Sequence, residues 1–206
     1  DHFLGPEIDS FEFDGIEYTP QSFLEMTTID PSSYVTITSF MHQPYYSNFI
    51  LNIPDNFSNG DFYNVPLDEM IMILDHALKN GYTVELDCDV SEKTFSSKHG
   101  LAVIPDDGSS NALVNIQPEK DITSDYRQQE FENYNTTDDH LMHITGMLED
   151  QNGTIYYKVK NSWGKDSNKV ANGGYIYMSQ SYMKLKTISI MVHKDAIPES
   201  TRAKLF

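Results

Sequence analysis

A single cysteine, Cys88, stands among the 206 residues. That excludes an internal disulfide and any zinc site built from several cysteines, and leaves the redox compartment open. Basic residues are scarce as well: 14 Lys and Arg face 31 Asp and Glu, giving a formal charge of −17 spread along the whole chain. A nucleic-acid partner requires clustered cations against its phosphates, so this balance argues against one. The short tract Lys158 to Lys160 reads as one solvated strand face. Long apolar runs are missing too. The longest, Met70 to Leu74, falls far short of the roughly 20 residues that span a bilayer, so no membrane partner is expected. Asp1-His2-Phe3-Leu4 has neither the basic nor the apolar region of a signal peptide. The chain also opens without Met, as a processed product or a piece of a longer protein would. No metal cluster, phosphate loop or nucleotide fingerprint is visible, so no cofactor is implied.

What is present suits one compact domain, or a large piece of one. Residues 1–81 read as a helix and loop segment. Phe3, Leu4, Phe11 and Phe13 are expected to anchor its turn-rich start onto a core. Thr19-Pro20 predicts an N-cap and first helical residue, with the helix running through Met26. Tyr34 to Phe40 alternates and is β-branched, which predicts a strand; Gln43 to Asn64 reads as loop. Leu67, Met70, Ile71, Leu74, Ala77 and Leu78 recur at helical spacing, so Pro66 to Lys79 predicts a helix closed by Asn80-Gly81. Residues 82–139 read as a strand, Tyr82 to Val90, and a polar surface insertion. Residues 140–206 are β-rich, with strands expected at His140 to Glu149, Thr154 to Ser162, Gly174 to Ser179 and Lys186 to His193. A helix-containing first part before an antiparallel β part indicates an α+β fold.

Asp150-Gln-Asn-Gly153 is a hairpin signal. With Glu149 opposite Thr154, Leu148 faces Ile155, Ile144 faces Val159, Met142 faces Asn161 and His140 faces Trp163. These side chains share one face, apolar near the turn and ending in His140, Asn161 and Trp163. His143 has the opposite parity and points away, opposite Lys160. Opposed Cβ atoms lie about 5 Å apart, so His140 and Asn161 can meet unless a bulge shifts the register. A thiol needs an adjacent imidazole to hold it as thiolate, and that imidazole needs its other nitrogen fixed. An Asn carboxamide oxygen does this without adding charge. Trp163 would shield the bond from water; it reads equally as a core aromatic, and the two roles are compatible.

Asp139-His140-Leu-Met-His-Ile-Thr-Gly146, followed by Val159-Lys-Asn161-Ser-Trp163-Gly164, resembles the paired signatures of papain-like cysteine peptidases. Gly15-Ile-Glu-Tyr-Thr-Pro20, Asn64-Val-Pro-Leu-Asp68 and Asp87-Cys-Asp-Val-Ser-Glu92 resemble, in order, segments of the bleomycin hydrolase and aminopeptidase C branch. The resemblance covers nearly the whole chain but only the C-terminal portion of such an enzyme. It implies a papain-like fold, a cysteine-type peptidase acting on peptides from their N-terminal end, His140 as the base and Asn161 as its orienter. It also implies a cytoplasmic, homo-oligomeric protein. In that branch the nucleophile sits upstream in a Q-x-x-x-C-G-x-C-W-like run that also supplies the oxyanion Gln. Nothing in residues 1–139 matches it. The branch's C-terminus runs into the cleft and limits cutting, whereas Ile197 to Phe206 matches only weakly.

Cys88 is a poor substitute. It lies in an extended run between Asp87 and Asp89, whose charges raise a thiol pKa. Three readings stay open. This chain supplies the His/Asn half of a site whose cysteine lies on an upstream or partner segment. Or it is a non-catalytic peptide-binding scaffold that lost its nucleophile. Or Cys88 serves His140 as a distinct thiol enzyme.

Overall fold

The computed structural model describes residues 5–108, 110–165 and 168–206, in two compact units, Asp1–Ser33 and Tyr34–Phe206. Phe3 and Leu4, expected as anchors, lie outside the described residues. In the first unit, strands β1 (Phe11–Phe13) and β2 (Ile16–Tyr18) pair antiparallel across Asp14-Gly15. Both turn residues have positive φ, as a two-residue hairpin turn requires. Helix α1 (Pro20–Thr27) starts at Thr19, whose side chain accepts the Ser22 N–H while Ser22 caps Thr19 in return. Phe11, Phe13 and Tyr18 gather around Phe23 of α1, with ring centroids 5.2–5.5 Å apart. Phe11 and Phe13 thus anchor within this small unit, and Phe13 remains half exposed.

The second unit is built on ten strands: β3 (Tyr34–Thr38), β4 (Ser47–Ile50), β5 (Asp61–Asn64), β6 (Val84–Cys88), β7 (Phe95–Ser96), β8 (Leu101–Ala102), β9 (His140–Glu149), β10 (Ile155–Lys160), β11 (Tyr175–Ser179) and β12 (Thr187–His193). They lie in the order β4-β5-β3-β12-β6-β9-β10-β11-β8-β7. The sheet is antiparallel except at β3–β5 and β11–β8. Helix α2 (Leu67–Lys79) buries Leu67, Met70, Ile71, Ile73, Leu74 and Ala77, packing into the same core as Leu86, Ile144, Val159 and Ile190 of the sheet. Each of the Leu, Ile, Val and Met side chains contributes about 1.5–3 kcal/mol when fully buried. Asp68 and Glu69 occupy the first turn and Lys79 the last, matching the helix dipole. Tyr157 of β10, fully buried, donates to Asp75 of α2 at 2.7 Å.

Two stretches depart from expectation. Residues 43–64 are not simply loop, because β4 and β5 form there. Asn64 makes this possible: its side chain accepts the Phe40 N–H and donates to the Phe40 and Gln43 carbonyls, giving the chain its partners as it turns. Nor is 91–139 a mere surface insertion. It supplies β7, β8 and helix α3 (Ser124–Glu132), and it buries Ala102, Val103, Ile104 and Arg127. Arg127 is only 1% exposed and donates to the Ser39 and Lys184 carbonyls while lying over the Phe40 ring. Burial lowers its pKa to about 9. A core contact made through a charged side chain escapes a search for apolar periodicity. Helices α4 (Gln180–Lys186) and α5 (Glu199–Leu205) are likewise short and unannounced.

Candidate active site

The β9–β10 hairpin carries the residues of interest. Its loop is one residue longer than expected: Glu149 pairs with Ile155, and Asp150 Oδ1 accepts the N–H groups of Asn152 and Thr154. Leu148 therefore faces Tyr156, not Ile155, and is 41% exposed rather than on the apolar face. The register then shifts between Lys158 and Val159, leaving Thr145 as the extra residue, its hydroxyl donating to the Lys158 carbonyl. Beyond this bulge Ile144 pairs with Val159 and His143 with Lys160, as the sequence predicts. The longer loop and the bulge cancel. His143 is exposed on the other face.

At the end of the hairpin His140 Nε2 lies 2.9 Å from Asn161 Oδ1. The same Oδ1 accepts the Ser162 N–H at 2.7 Å, which fixes the carboxamide orientation. An oxygen that accepts from both sides requires Nε2 to carry the proton, leaving Nδ1 as the lone-pair nitrogen of the neutral ring. Asn161 is 3% exposed, and its own N–H donates to the Gly174 carbonyl. The Trp163 ring lies 5.1 Å from the imidazole and meets Phe95 edge-on at 5.9 Å. It is half exposed, hence no core aromatic. The structure thus brings together His140, Asn161 and Trp163.

His140 pairs across the sheet with Cys88 of β6. The thiol, however, is buried in the core cluster, 1% exposed. Burial first, then the charges of Asp87, Asp89, Asp139 and Glu85, push its pKa well above the usual range. Both effects oppose ionisation of this thiol.

The sequence reading missed what holds the approach to His140. Lys186 Nζ, fully buried, lies 2.7 Å from Glu92 and 3.6 Å from Asp89, and donates to the Asn135 carbonyl. Asp89 also accepts the N–H of Thr137, while the Thr137 hydroxyl donates to Asp139. Burial raises the Asp89 acid, but the Ser91 side chain and N–H, the Thr137 N–H and Lys186 outweigh it and hold the pKa below the usual value. No spacing or alternation marks Lys186, whose neighbours in the run 185–192 include the polar Thr187 and Ser189. On the opposite sheet face Asp87 lies opposite Leu141 and near Asp55 and Asp138. Burial, then the charges of Asp138, Glu85 and Asp55, raises Asp87 to about 8. Glu85 rises to about 7, chiefly by burial.

Among the described residues, no helix is long and apolar enough to cross a membrane. The profile of the Peptidase C1-like family matches residues 9–205. Aminopeptidase C of Lactococcus lactis subsp. cremoris is 27% identical over 192 residues, covering 90% of this chain but 42% of that protein. Bleomycin hydrolase of Homo sapiens is 29% identical over 147 residues, covering 70% of this chain and 30% of its own length. The crystal structure of PepW from Lactobacillus rhamnosis HN001 superposes with a TM-score of 0.74 at 20% identity, covering 99% of this chain and 47% of that one. The chain therefore spans less than half the length of these relatives, and its fold is papain-like.

Proposed function

The chain belongs to the Peptidase C1-like family, in its aminopeptidase C and bleomycin hydrolase branch, and on that footing we propose that it supplies the histidine and asparagine of a Cys-His-Asn peptidase site. The thiol and the oxyanion-binding Gln then come from an upstream or partner segment outside these residues. The observation that carries this is the 2.9 Å contact from His140 to an Asn161 oxygen already oriented by Ser162. That arrangement leaves Nδ1 to take the thiol proton. The thiolate attacks the peptide carbonyl carbon, His140 returns the proton to the leaving amine, and an acyl-thioester forms. His140 then deprotonates water, which displaces the thiolate and releases the acid. Asn161 keeps the ring in register through both steps, and Trp163 limits water beside their hydrogen bond.

The aminopeptidase mode rests on the relatives' names. Within this chain, residues 197–206 end in α5, with Phe206 packed against Tyr63 of β5. Four strand intervals separate β5 from β9, or about 19 Å at 4.8 Å each, which sets Phe206 away from the strand that carries His140.

The purified chain alone should turn over no aminoacyl fluorogenic substrate. Supplying a polypeptide with the family's Gln and Cys should restore turnover, and His140→Ala in that assembly should lower kcat by about 10²–10⁴-fold. Turnover by the isolated chain would sink the split site. The buried thiol also favours a second reading, a peptide-binding scaffold without a nucleophile. Peptide binding without turnover in the complete natural protein would establish that reading instead.

A further inference from the structure

The sheet face turned away from Leu86 and Ile144 carries a continuous row of side chains. Pairing sets Thr36 of β3 beside Met191 of β12, Met191 beside Glu85 of β6, Glu85 beside His143 of β9, and His143 beside Lys160 of β10. Directly opposed residues share a face, so all five point the same way. In the next row Tyr34 pairs with His193. Tyr82, from the turn before β6, stacks on the His193 ring at 5.4 Å, and Tyr34 meets that ring edge-on at 5.2 Å. Tyr34, Tyr82, Glu85, His143, Met191 and His193 line a cavity of about 480 Å³, a size that suits a small ligand. Tyr34 and Met191 are partly exposed, so solvent reaches it.

No cation of the chain answers Glu85. Its carboxylate accepts the Met191 N–H, and burial pushes its pKa up to about 7. Lys160, two strands away in the same row, instead donates to the Gly173 carbonyl and lies over the Tyr175 ring. Among the described residues, the ion pairs engage other acids. His193 Nδ1 accepts the Asp195 N–H at 3.2 Å, which leaves that ring neutral, an aromatic wall rather than a charge. A carboxylate beside aromatic rings and a thioether suits one class of ligand. An anion would be repelled. A purely apolar ligand would take Glu85 further from water without a partner. An ammonium gains both an ion pair with Glu85 and attraction to the tyrosine faces, while an aliphatic stem covers Met191.

We propose that this cavity binds a primary ammonium group on an aliphatic stem, the chemistry shared by a lysine side chain and a free alkylamine. The site goes beyond the peptidase reading. It lies on the sheet face opposite that of His140, and its occupancy requires no turnover.

The full chain is titrated by calorimetry at about pH 8.5, where the Glu85 carboxylate is ionised and an alkylammonium keeps its proton. The probes are n-butylammonium chloride and N-acetyl-lysine amide. Comparators are n-butanol, which lacks the charge, ammonium chloride, which lacks the stem, and NaCl at matched ionic strength. One saturable millimolar site is expected for the two probes, with butanol and ammonium chloride weaker by about tenfold or more. Tighter binding of N-acetyl-lysine amide names a lysine side chain as the source, and tighter binding of butylammonium names a free amine; either supports the proposal. Glu85→Gln should weaken binding by about tenfold or more. Tyr34→Leu, at the accessible edge, should weaken it about two- to fivefold, and it carries the test if Glu85→Gln fails to fold. Asp121→Asn, an exposed control, should leave binding intact. No saturable binding at millimolar butylammonium, butanol binding as well as butylammonium, an equal response to NaCl, or folded variants with unchanged affinity would each overturn the proposal.

Discussion

Lys186 places an ammonium group in the interior with Asp89 and Glu92 as its counter-charges and the Asn135 carbonyl as a further acceptor. A pair buried this fully adds little net stability over apolar replacements, yet removing one partner strands the other. Lys186→Met is therefore expected to cost about 3–5 kcal/mol, read as a lower urea midpoint. The double variant Lys186→Met/Asp89→Asn should recover part of that loss. A single variant costing under about 1 kcal/mol would reduce the pair to the standing of a surface ion pair. At this scale the sequence was informative where side-chain parity decides the outcome. Alternation alone separates His140 from His143 and sets it beside Asn161. It could not reveal Lys186 or Asp87, because their partners are distant in the chain and appear only when β6, α4 and the lead-in to His140 come together.

Helix α5 shows how an element is fastened by one acid. Glu69, in the first turn of α2, accepts from Thr201 of α5 and from Tyr46, and pairs with Lys204 at 3.3 Å. Burial raises the Glu69 acid, but those donors outweigh it and lower its pKa below the ordinary 4.5. A carboxyl with a depressed folded pKa contributes stability above its unfolded value, lost as pH falls through the folded one. Acid titration below about pH 4.5 should therefore release α5. Proteolysis or hydrogen exchange at 199–205 would report it, and Glu69→Gln should flatten that pH dependence. Protection of α5 unchanged by acid would contradict this account. Among elements, α2 was legible because six buried positions repeat at helical spacing. By contrast, β4, β5 and α3 were not. The strands are four residues each and lean on the Asn64 carboxamide, and α3 docks through Arg127.

Over the whole molecule the dominant quantity is the charge of −17. Self-repulsion on this scale weakens the compact state, and mobile ions reduce it over a Debye length of about 10 Å at 0.1 M salt. Raising NaCl from about 0.01 M to 0.2 M should therefore raise Tm, most steeply at the low end. A flat or falling Tm would show that the charges are already compensated pairwise. The same acidity is the ground on which the sequence argues against a phosphate-backbone partner. It said nothing of the mixed sheet order, which depends on long-range pairing.

The bulge at Thr145 has a genetic corollary. With Gly146 opposite Lys158 and Ile144 opposite Val159, Thr145 is one residue of slack in an otherwise continuous ladder. Losing its codon in frame would join those two pairs directly, leaving every other side chain of β9 on its present face and His140 still beside Asn161. Losing the codon of Met142 would instead turn His140 to the opposite face. Lineages are thus free to differ by one residue between the histidine and the glycine that follows it, and a search demanding fixed spacing there would pass over working relatives.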